Sequence, residues 1–175
     1  MSRYRTINML ATSYIHFFRS MPIVLMLLLT YYVVFIQSRL STMMITIIAF
    51  SVYHSAYVSE VFRSGMLSVK KEQIETSISM GFSKKQTLIY IVIPQALRVI
   101  FPVYKGEIIT LVKLTSVVGF IGVRDLTRAT DIIRSQTFDA LFPIVFAVII
   151  YFIIIVVLTI ILNIIENLII PQKAV

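Results

Sequence analysis

The sequence predicts an all-α membrane protein, a polytopic helix bundle with four spans in this chain, and two observations predict it. Apolar side chains make up 58% of the 175 residues, and the mean hydropathy is +0.93. This is more hydrocarbon than a water-soluble domain of this size can bury. The apolar residues also gather in long runs that carry almost no charge, each near or above the roughly 18 to 20 residues that a helix needs to cross a bilayer.

Three of the spans follow directly from these runs. They cover 21–38, 40–59 and 140–165. A fourth span is predicted at 99–123, where Lys105, Glu107 and Lys113 lower the hydropathy although most other residues are Ile, Leu and Val. This span is accepted on the strength of the family resemblance described below. Ionisable groups inside a membrane are costly and usually face the bundle interior, a water-filled cavity or a functional partner.

The distribution of basic residues predicts the orientation of the spans. With four crossings both termini lie on one side, and that side collects Arg3, Arg5, Arg19, Arg63, Lys70, Lys71, Lys84, Lys85, Arg98 and Lys173. The opposite side has Arg39, Arg124, Arg128 and Arg134. Because Lys and Arg accumulate in cytoplasmic segments, we expect both ends and the central loop in the cytoplasm. The net charge of +8 does not indicate nucleic-acid binding, since the basic residues form no stripe interleaved with aromatic side chains.

The segment between the second and third spans is the most informative part of the chain. Charged residues return over 60–86, and an apolar stripe at four-residue spacing predicts a short amphipathic helix. The stripe consists of Ile74, Ile78 and Phe82. Gly65 and Gly81 punctuate the segment, and Gly81 is expected to supply a sharp turn that needs an unusual backbone angle.

Two further segments connect the spans. The range 87–97 is apolar but contains Pro94 and is too short to cross a membrane. We expect it either to lie at the interface or to start the next helix. The range 123–139 is polar, with Leu126 and Ile132 among alternating charges, and predicts a short helix on the external side.

The chain carries no pattern typical of an enzyme or a metal site. There is no cysteine, so a disulfide and a thiolate metal site are excluded. His16 and His54 have no neighbouring ligand pattern, and we expect each to be a polar group satisfied at an interface or between helices. None of the five glycines opens a phosphate-binding Walker A loop. Any ATP hydrolysis must therefore belong to another subunit.

The loop after the second span resembles the signature loop of bacterial ABC importer permeases. That signature reads EAA, three residues, G, nine residues, I, any residue, L, P. The matching residues here are Glu75-Thr76-Ser77, Gly81, Ile91 and Ile93-Pro94. Thr76 and Ser77 replace the two alanines, so small residues are retained.

The rest of the chain, from about Tyr14 to Glu166, is similar to the polar amino acid branch of that family. The similar blocks are Tyr14-Ile15-His16-Phe17-Phe18-Arg19-Ser20-Met21-Pro22, Ala56-Tyr57-Val58-Ser59-Glu60-Val61-Phe62-Arg63, Pro94-Gln95-Ala96-Leu97-Arg98, Lys113-Leu114-Thr115-Ser116 and Asp125-Leu126-Thr127-Arg128-Ala129. Three departures are Ser20-Met21 for Gly-Thr, Glu72 for Gly and Lys105-Gly106 for Gly-Asn. The family also has one more span before the first block, so the chain is either a shortened subunit or a fragment of a longer polypeptide.

The resemblance implies a type I ABC importer permease fold and a set of partners. These are a separate ABC ATPase that uses ATP and Mg, an external substrate-binding protein, a second permease protomer that is identical or related, and the membrane lipid. No cofactor is expected in this chain. A cytoplasmic coupling helix would contact the ATPase through Ile74, Glu75, Thr76, Ser77, Ile78, Gly81 and Phe82, with Pro94 ending the signature. The whole chain, 1–175, is then one permease domain of the bacterial inner membrane, and 60–98 is its coupling-loop region.

The resemblance also suggests a substrate path, which leaves two interpretations open. In the first, Glu107 lines the path and holds the α-ammonium of an amino acid. Thr110 shares its helix face, and the polar group Lys113, Thr115 and Ser116 lies near the outer mouth. In the second, Lys113 extends to the lipid headgroups and Glu107 pairs with Lys105 for structural reasons. An ATP-independent secondary transporter or channel subunit is the alternative function.

Overall fold

The computed structural model describes residues 5–170, and every regular element within them is helical. The helices are α1 Arg5–Ser20, α2 Ile23–Leu29, α3 Thr42–Leu67, α4 Lys71–Ser79, α5 Lys84–Gln86, α6 Ile93–Leu114, α7 Leu126–Thr137 and α8 Leu141–Ile169. Thr30–Val34 and Thr87–Val92 are π-helical, and Thr115–Ile121 is a 3-10 helix. Arg3 and Lys173, which contributed to the predicted orientation, lie outside the described residues.

Three helices within the described residues are long and apolar enough to cross a membrane, as the predicted spans at 40–59, 99–123 and 140–165 require. They are Thr42–Leu67, Lys84–Ile121 and Leu141–Ile169. The predicted span at 99–123 belongs to a helix that already begins at Lys84. The apolar range 87–97 therefore starts this bundle helix and is not a separate interfacial segment. The π-helical turn Thr87–Val92 ends two residues before Pro94. In a regular α-helix the ring of this proline would clash with the carbonyl group four residues earlier.

The first predicted span, 21–38, takes a different form. It is helical over Ile23–Val34, and this helix meets the preceding one at an angle of 105°. The seven-residue α2 and the five-residue π-helical turn reach about 18 Å together, which is short of the roughly 30 Å hydrocarbon core. The described chain therefore has three spans, or four if the bent pair counts as one. The break occurs at Pro22, whose extended backbone precedes α2.

Helix α1 packs across the middle of α3. The Tyr14 hydroxyl donates to the Val52 carbonyl at 2.8 Å and lies 2.6 Å from the Ser55 hydroxyl. Near the end of α1, the Arg19 guanidinium lies 5.5 Å from the ring centre of Tyr57. These contacts fix the bent pair against α3, which is the helix at the centre of the fold.

Two apolar clusters hold the bundle together. The first joins α2, α3 and the 3-10 helix around Leu27, which is fully buried. The second joins α3 to the helix Lys84–Ile121, called the long helix below, through Val61, Val92, Ala96 and Ile100. Both clusters involve α3, so this helix connects the π-helical base of the long helix to its 3-10 end.

Gly65 lies inside α3, where it is buried, so the prediction that it punctuates the loop is wrong. A Cβ atom at this position would lie 2.1 Å from Cγ1 of Ile100. Glycine is therefore required because α3 and α6 approach too closely for any side chain. The two helices are in tight contact at this level.

The short helix predicted between the last two spans is confirmed as α7. Asp125 caps its first turn by accepting hydrogen bonds from the backbone N–H groups of Thr127 and Arg128, at 3.1 and 2.9 Å. Gly122, at φ +85°, ends the preceding 3-10 helix in the left-handed conformation. Helix α7 then packs against α8.

Candidate functional site

The coupling-loop region is built around a glycine turn after α4. Gly81 has φ +91°, its N–H donates to the Ile78 carbonyl at 3.0 Å, and the Phe82 N–H donates to the Ser77 carbonyl at 3.1 Å. This pair of bonds is a Schellman motif, which satisfies the last carbonyls of a helix and needs a left-handed residue. Gly81 thus forms a sharp turn after the short amphipathic helix.

The turn brings α4 back onto the base of the long helix. The Ser77 and Thr87 hydroxyls lie 3.0 Å apart, and both residues are buried. Ser83 and Gln86 form a capping box that starts the long helix immediately after the turn. The loop is therefore attached to the long helix by a buried polar contact. The long helix begins directly after the turn, with no flexible linker between them.

The apolar stripe predicted on α4 is divided between two environments. Ile74 packs against the second apolar cluster, whereas Ile78 keeps 46% of its surface exposed. Both border a groove of about 330 Å³ that Leu88 and Val92 also line. Phe82 is half-buried beyond the turn, so it does not belong to α4 itself.

The solvent side of α4 carries the remaining residues of the predicted coupling set. Glu75 and Thr76 are exposed, and Glu75 lies 3.3 Å from the ammonium of Lys71. Met80, just before the turn, has 74% of its surface exposed. Pro94 lies apart from this surface, near the start of α6.

A second feature is a cavity of about 630 Å³ between α3 and the segment from α6 to the start of α7. Most of its wall is apolar. Its polar lining residues are Thr46, Ser51, His54, Ser55, Thr115, Arg124 and Asp125. The Gly65–Ile100 contact lies on the side of the cavity toward the coupling loop, where α3 and α6 leave no space between them.

The polar groups of the cavity differ in their hydrogen bonding. The hydroxyls of Thr46, Ser55 and Thr115 each donate to a carbonyl three or four residues earlier on the same chain segment, at 2.7 to 2.8 Å. The Nε2 atom of His54 is buried and has no hydrogen-bond partner among the described residues. The prediction that this histidine is a satisfied polar group is therefore wrong for one of its two nitrogens.

Glu107 lies beside this cavity, on the α6 turn that precedes Leu111. It is half-buried. Leu111 and His54 both line the cavity. Glu107 itself is not among the residues that line the cavity.

The second interpretation of Glu107 required an ion pair with Lys105, but Lys105 forms a different pair. Its Nζ atom lies 2.6 Å from Oε2 of Glu166 and 2.8 Å from Oδ1 of Asn163, both on α8. This contact joins α6 to α8.

The other predicted path residues are not brought together. Thr110 and Lys113 are exposed, while Thr115 lines the large cavity. Ser116 lines a different pocket of about 410 Å³ beside α7, with Arg128 and Asp131. Lys113, Thr115 and Ser116, which were predicted to form one polar cluster, thus lie in three different surroundings.

Sequence reasoning missed His54 as a site residue, although the sequence contains a signal for it. Thr46, Phe50, His54 and Val58 follow one another at four-residue spacing within a span, and all four line the cavity. Polar residues on one face of a membrane helix indicate a polar path or a packed interior. No group of three or more metal-ligating side chains occurs in residues 5–170.

The chain is similar to known transport proteins over nearly its whole length. The sequence profile of the family described as "binding-protein-dependent transport system inner membrane component" matches residues 1–171. The probable glutamine ABC transporter permease protein GlnM of Bacillus subtilis is 30% identical over 151 residues, which cover 81% of this chain and 70% of that protein. The putative glutamine transport system permease protein GlnP of Rickettsia felis is 32% identical over 145 residues, covering 82% and 66%.

The fold is also similar to a solved structure. A crystal structure of an amino acid ABC transporter with histidines matches with a TM-score of 0.85 and 32% sequence identity, covering 95% of this chain and 78% of that one. The chain thus spans about two thirds of the length of the two glutamine permeases and more of the solved chain.

Proposed function

This chain belongs to the family of binding-protein-dependent transport system inner membrane components, the permease parts of ABC transporters, and we propose that it imports polar amino acids. It is the membrane path of such a system, and ATP hydrolysis takes place in a separate subunit. The substrate class rests on relatives named for glutamine and on a structural neighbour named for amino acids.

One structural relationship carries the proposal. The helix Lys84–Ile121 begins at the coupling loop and ends at the wall of the large cavity. At its base it holds α4 through the Ser77–Thr87 contact, and near its other end Leu111 and Thr115 line the cavity. We infer that a displacement of α4 is transmitted to the cavity wall along this continuous helix, as an ATP-driven change between two conformations requires.

The exposed face of α4 is the proposed contact with the ATPase. Glu75, Thr76 and Ile78 face outward beside Met80. Ser77, Gly81 and Phe82 instead hold the shape of the element, and Ile74 anchors it to the core. Pro94 belongs to the helix that the element drives.

The cavity beside Glu107 is the proposed substrate path. A carboxylate on the helix turn next to a largely apolar cavity is suited to hold the α-ammonium of a zwitterionic amino acid, because opposite charges attract strongly where water is scarce. Thr115 contributes to the wall on the α7 side. Thr110, Lys113 and Ser116 have no part in this cavity, and we assign them to the surface that faces lipid or a second protomer.

The orientation and assembly follow the distribution of charge. With the bent pair counted as one span, the number of crossings is even, so the coupling loop and both ends of the chain lie in the cytoplasm and α7 faces the external binding protein. A second permease protomer, identical or related, completes the path. Helix α8 has no buried residue in its most apolar stretch, which leaves it available to lipid or to that protomer.

The experiment that tests this function is a pull-down of the candidate ATPase from membranes that contain the chain. We expect co-purification that is lost in the Glu75→Arg, Gly81→Pro double variant and retained in a Gly106→Ala control. ATP-independent amino acid flux through the chain alone would instead favour a secondary transporter or channel.

A further inference from the structure

The turn between α7 and α8 carries a phenylalanine in an unfavourable setting. Phe138 has φ +54°, and it is the only residue other than glycine with a positive φ in residues 5–170. Its side chain is also 95% exposed. The left-handed conformation is disfavoured for a bulky residue, and an aromatic ring in water gives up the free energy of its burial. Strain and exposure at one residue point to a function for its side chain.

Phe138 begins a strip of exposed apolar side chains that continues into α8. Leu141 and Phe142 have 76% and 67% of their surfaces exposed, and the Phe142 ring stacks on Phe146 with 6.1 Å between ring centres. Exposed apolar residues then cover most of the circumference of α8. A second protomer can cover only one side of such a helix, so the remaining surface faces lipid. The strip at the turn is therefore continuous with a lipid-facing surface.

The length of α8 places the turn at the level of the lipid headgroups. At about 1.5 Å per residue, its 29 residues reach about 43 Å. This length exceeds the hydrocarbon core of about 30 Å and matches the roughly 40 to 45 Å that include both headgroup layers. The Lys105–Glu166 pair lies near one end of α8. The opposite end, next to Phe138, then reaches the headgroup layer of the other leaflet.

We propose that residues 138–142, called the anchor turn below, insert into this headgroup layer and attach the end of α7 to the bilayer. The occupant of the apolar surface is phospholipid. Phe and Leu are among the side chains with which interfacial segments enter this layer, and their burial there offsets the strain and exposure of Phe138. The inference goes beyond the proposed transport function and requires only that α8 spans the membrane.

The polar groups of the anchor turn satisfy one another, which lowers the cost of contact with lipid. The Asp139 carboxylate accepts hydrogen bonds from the N–H groups of Leu141 and Phe142, at 2.9 and 3.4 Å. The Asp139 N–H donates to the Thr137 hydroxyl at 3.3 Å. Backbone groups without partners are costly where water is excluded, and these bonds provide partners at the start of α8.

The anchor turn leaves a separate surface of α7 for the external binding protein. Arg128 and Ser135 are exposed on this helix and are not part of the aromatic strip. Asp125, at the other end of α7, lines the large cavity. Helix α7 would then have one end attached to the bilayer and the other in the cavity wall.

The test uses tryptophan fluorescence, because the chain contains no tryptophan of its own. Single-tryptophan chains are reconstituted into liposomes and exposed either to iodide in the water or to lipids brominated near the headgroup end of their acyl chains. The reporters of the anchor turn are Phe138→Trp and Leu141→Trp, and the second has an ordinary helical backbone. Ser135→Trp on α7 is the reference for water, and Phe152→Trp within α8 is the reference for lipid.

We expect brominated lipid to reduce the fluorescence of both reporters at least about twofold, since the anchor turn enters the layer beside the acyl chains. Iodide should quench both reporters at least about threefold less than Ser135→Trp, because the same layer limits access from water. Quenching of Phe152→Trp by brominated lipid shows that the chain is inserted.

Iodide quenching of both reporters that equals that of Ser135→Trp, without quenching by brominated lipid, would overturn the inference. Iodide quenching that disappears only when the binding protein is added would also overturn it, because the partner would then be that protein. If Phe138→Trp does not purify as a folded chain, Leu141→Trp decides by the same criteria. Amino acid uptake is not part of the readout, so failure here leaves the proposed function untouched.

Discussion

Lys105 on α6 and Glu166 on α8 form an ion pair, with 2.6 Å between Nζ and Oε2. The two side chains are 21% and 19% exposed, so the pair lies between a solvated surface contact and a fully buried one. It belongs to neither the coupling loop nor the cavity. It connects α8 to the long helix, which begins at the coupling loop and ends at the cavity.

Removing one partner of this pair should destabilise the protein. We expect Lys105→Met to cost about 1 to 3 kcal/mol, between the values for exposed and buried pairs, because Glu166 is left without its cation. Thermal unfolding in detergent, followed by size-exclusion chromatography, measures the loss. The exchange Lys105→Glu with Glu166→Lys should recover part of it, and a double variant no better than the single ones would show that the pair contributes little.

The turn at Gly81 should not tolerate a side chain, for a purely conformational reason. An added Cβ meets nothing within 4 Å, but the φ of +91° is strained for any L-residue. Gly81→Ala should therefore cost about 1 kcal/mol locally and lower ATPase stimulation by substrate-loaded binding protein. Gly106→Ala is the matched control, because its Cβ also meets nothing within 4 Å and its backbone is ordinary helix. Equal activity of the two variants would contradict this role of the turn.

Gly65 should fail for the opposite reason, a lack of space. Gly65→Ala places a Cβ 2.1 Å from Cγ1 of Ile100, and forced overpacking of this kind costs about 1 to 3 kcal/mol. We expect a lower melting temperature and a lower yield of folded protein. Adding Ile100→Ala removes the clashing atom and should improve on Gly65→Ala alone. A further decline in the double variant would show that the two helices do not meet at this point.

The contact between Ser77 and Thr87 should matter for coupling more than for folding. Ser77→Ala leaves the buried Thr87 hydroxyl without its partner, at a cost of about 1 to 2 kcal/mol, and loosens α4 from the long helix. We expect a higher basal ATPase rate relative to transport in the reconstituted complex. Ser79→Ala is the control, since that exposed hydroxyl donates to the Glu75 carbonyl in the same helix. A similar ratio of ATP hydrolysis to transport in both variants would count against the contact.

Much of this fold follows from local sequence patterns. Hydropathy located two of the three long helices, Thr42–Leu67 and Leu141–Ile169, while the family resemblance supplied the third. A four-residue stripe followed by Gly81 predicted a helix with a sharp turn. Both features depend on residues close together in the chain. The 105° bend at Pro22 was not predicted, because hydropathy measures composition over a window and carries no information on direction.

The parts of the candidate site that sequence reasoning missed depend on contacts between distant residues. His54 matters because the face of α3 that carries it lines a cavity with Leu111 and Thr115. Lys105 forms its ion pair with Glu166, which lies far along the chain, and not with the neighbouring Glu107. Periodicity shows that a helix has a polar face, but only the packing of helices shows what that face meets.

The central claim is that ATP hydrolysis elsewhere drives an amino acid past Glu107 in this chain. The most direct test is uptake of radiolabelled glutamine into proteoliposomes that contain the chain, its ATPase and its binding protein, with parent and Glu107→Gln chains compared at equal protein level. We predict uptake that requires ATP and falls at least about tenfold in Glu107→Gln, since the α-ammonium loses its counter-charge. Uptake without ATP, or undiminished uptake in Glu107→Gln, would contradict the account.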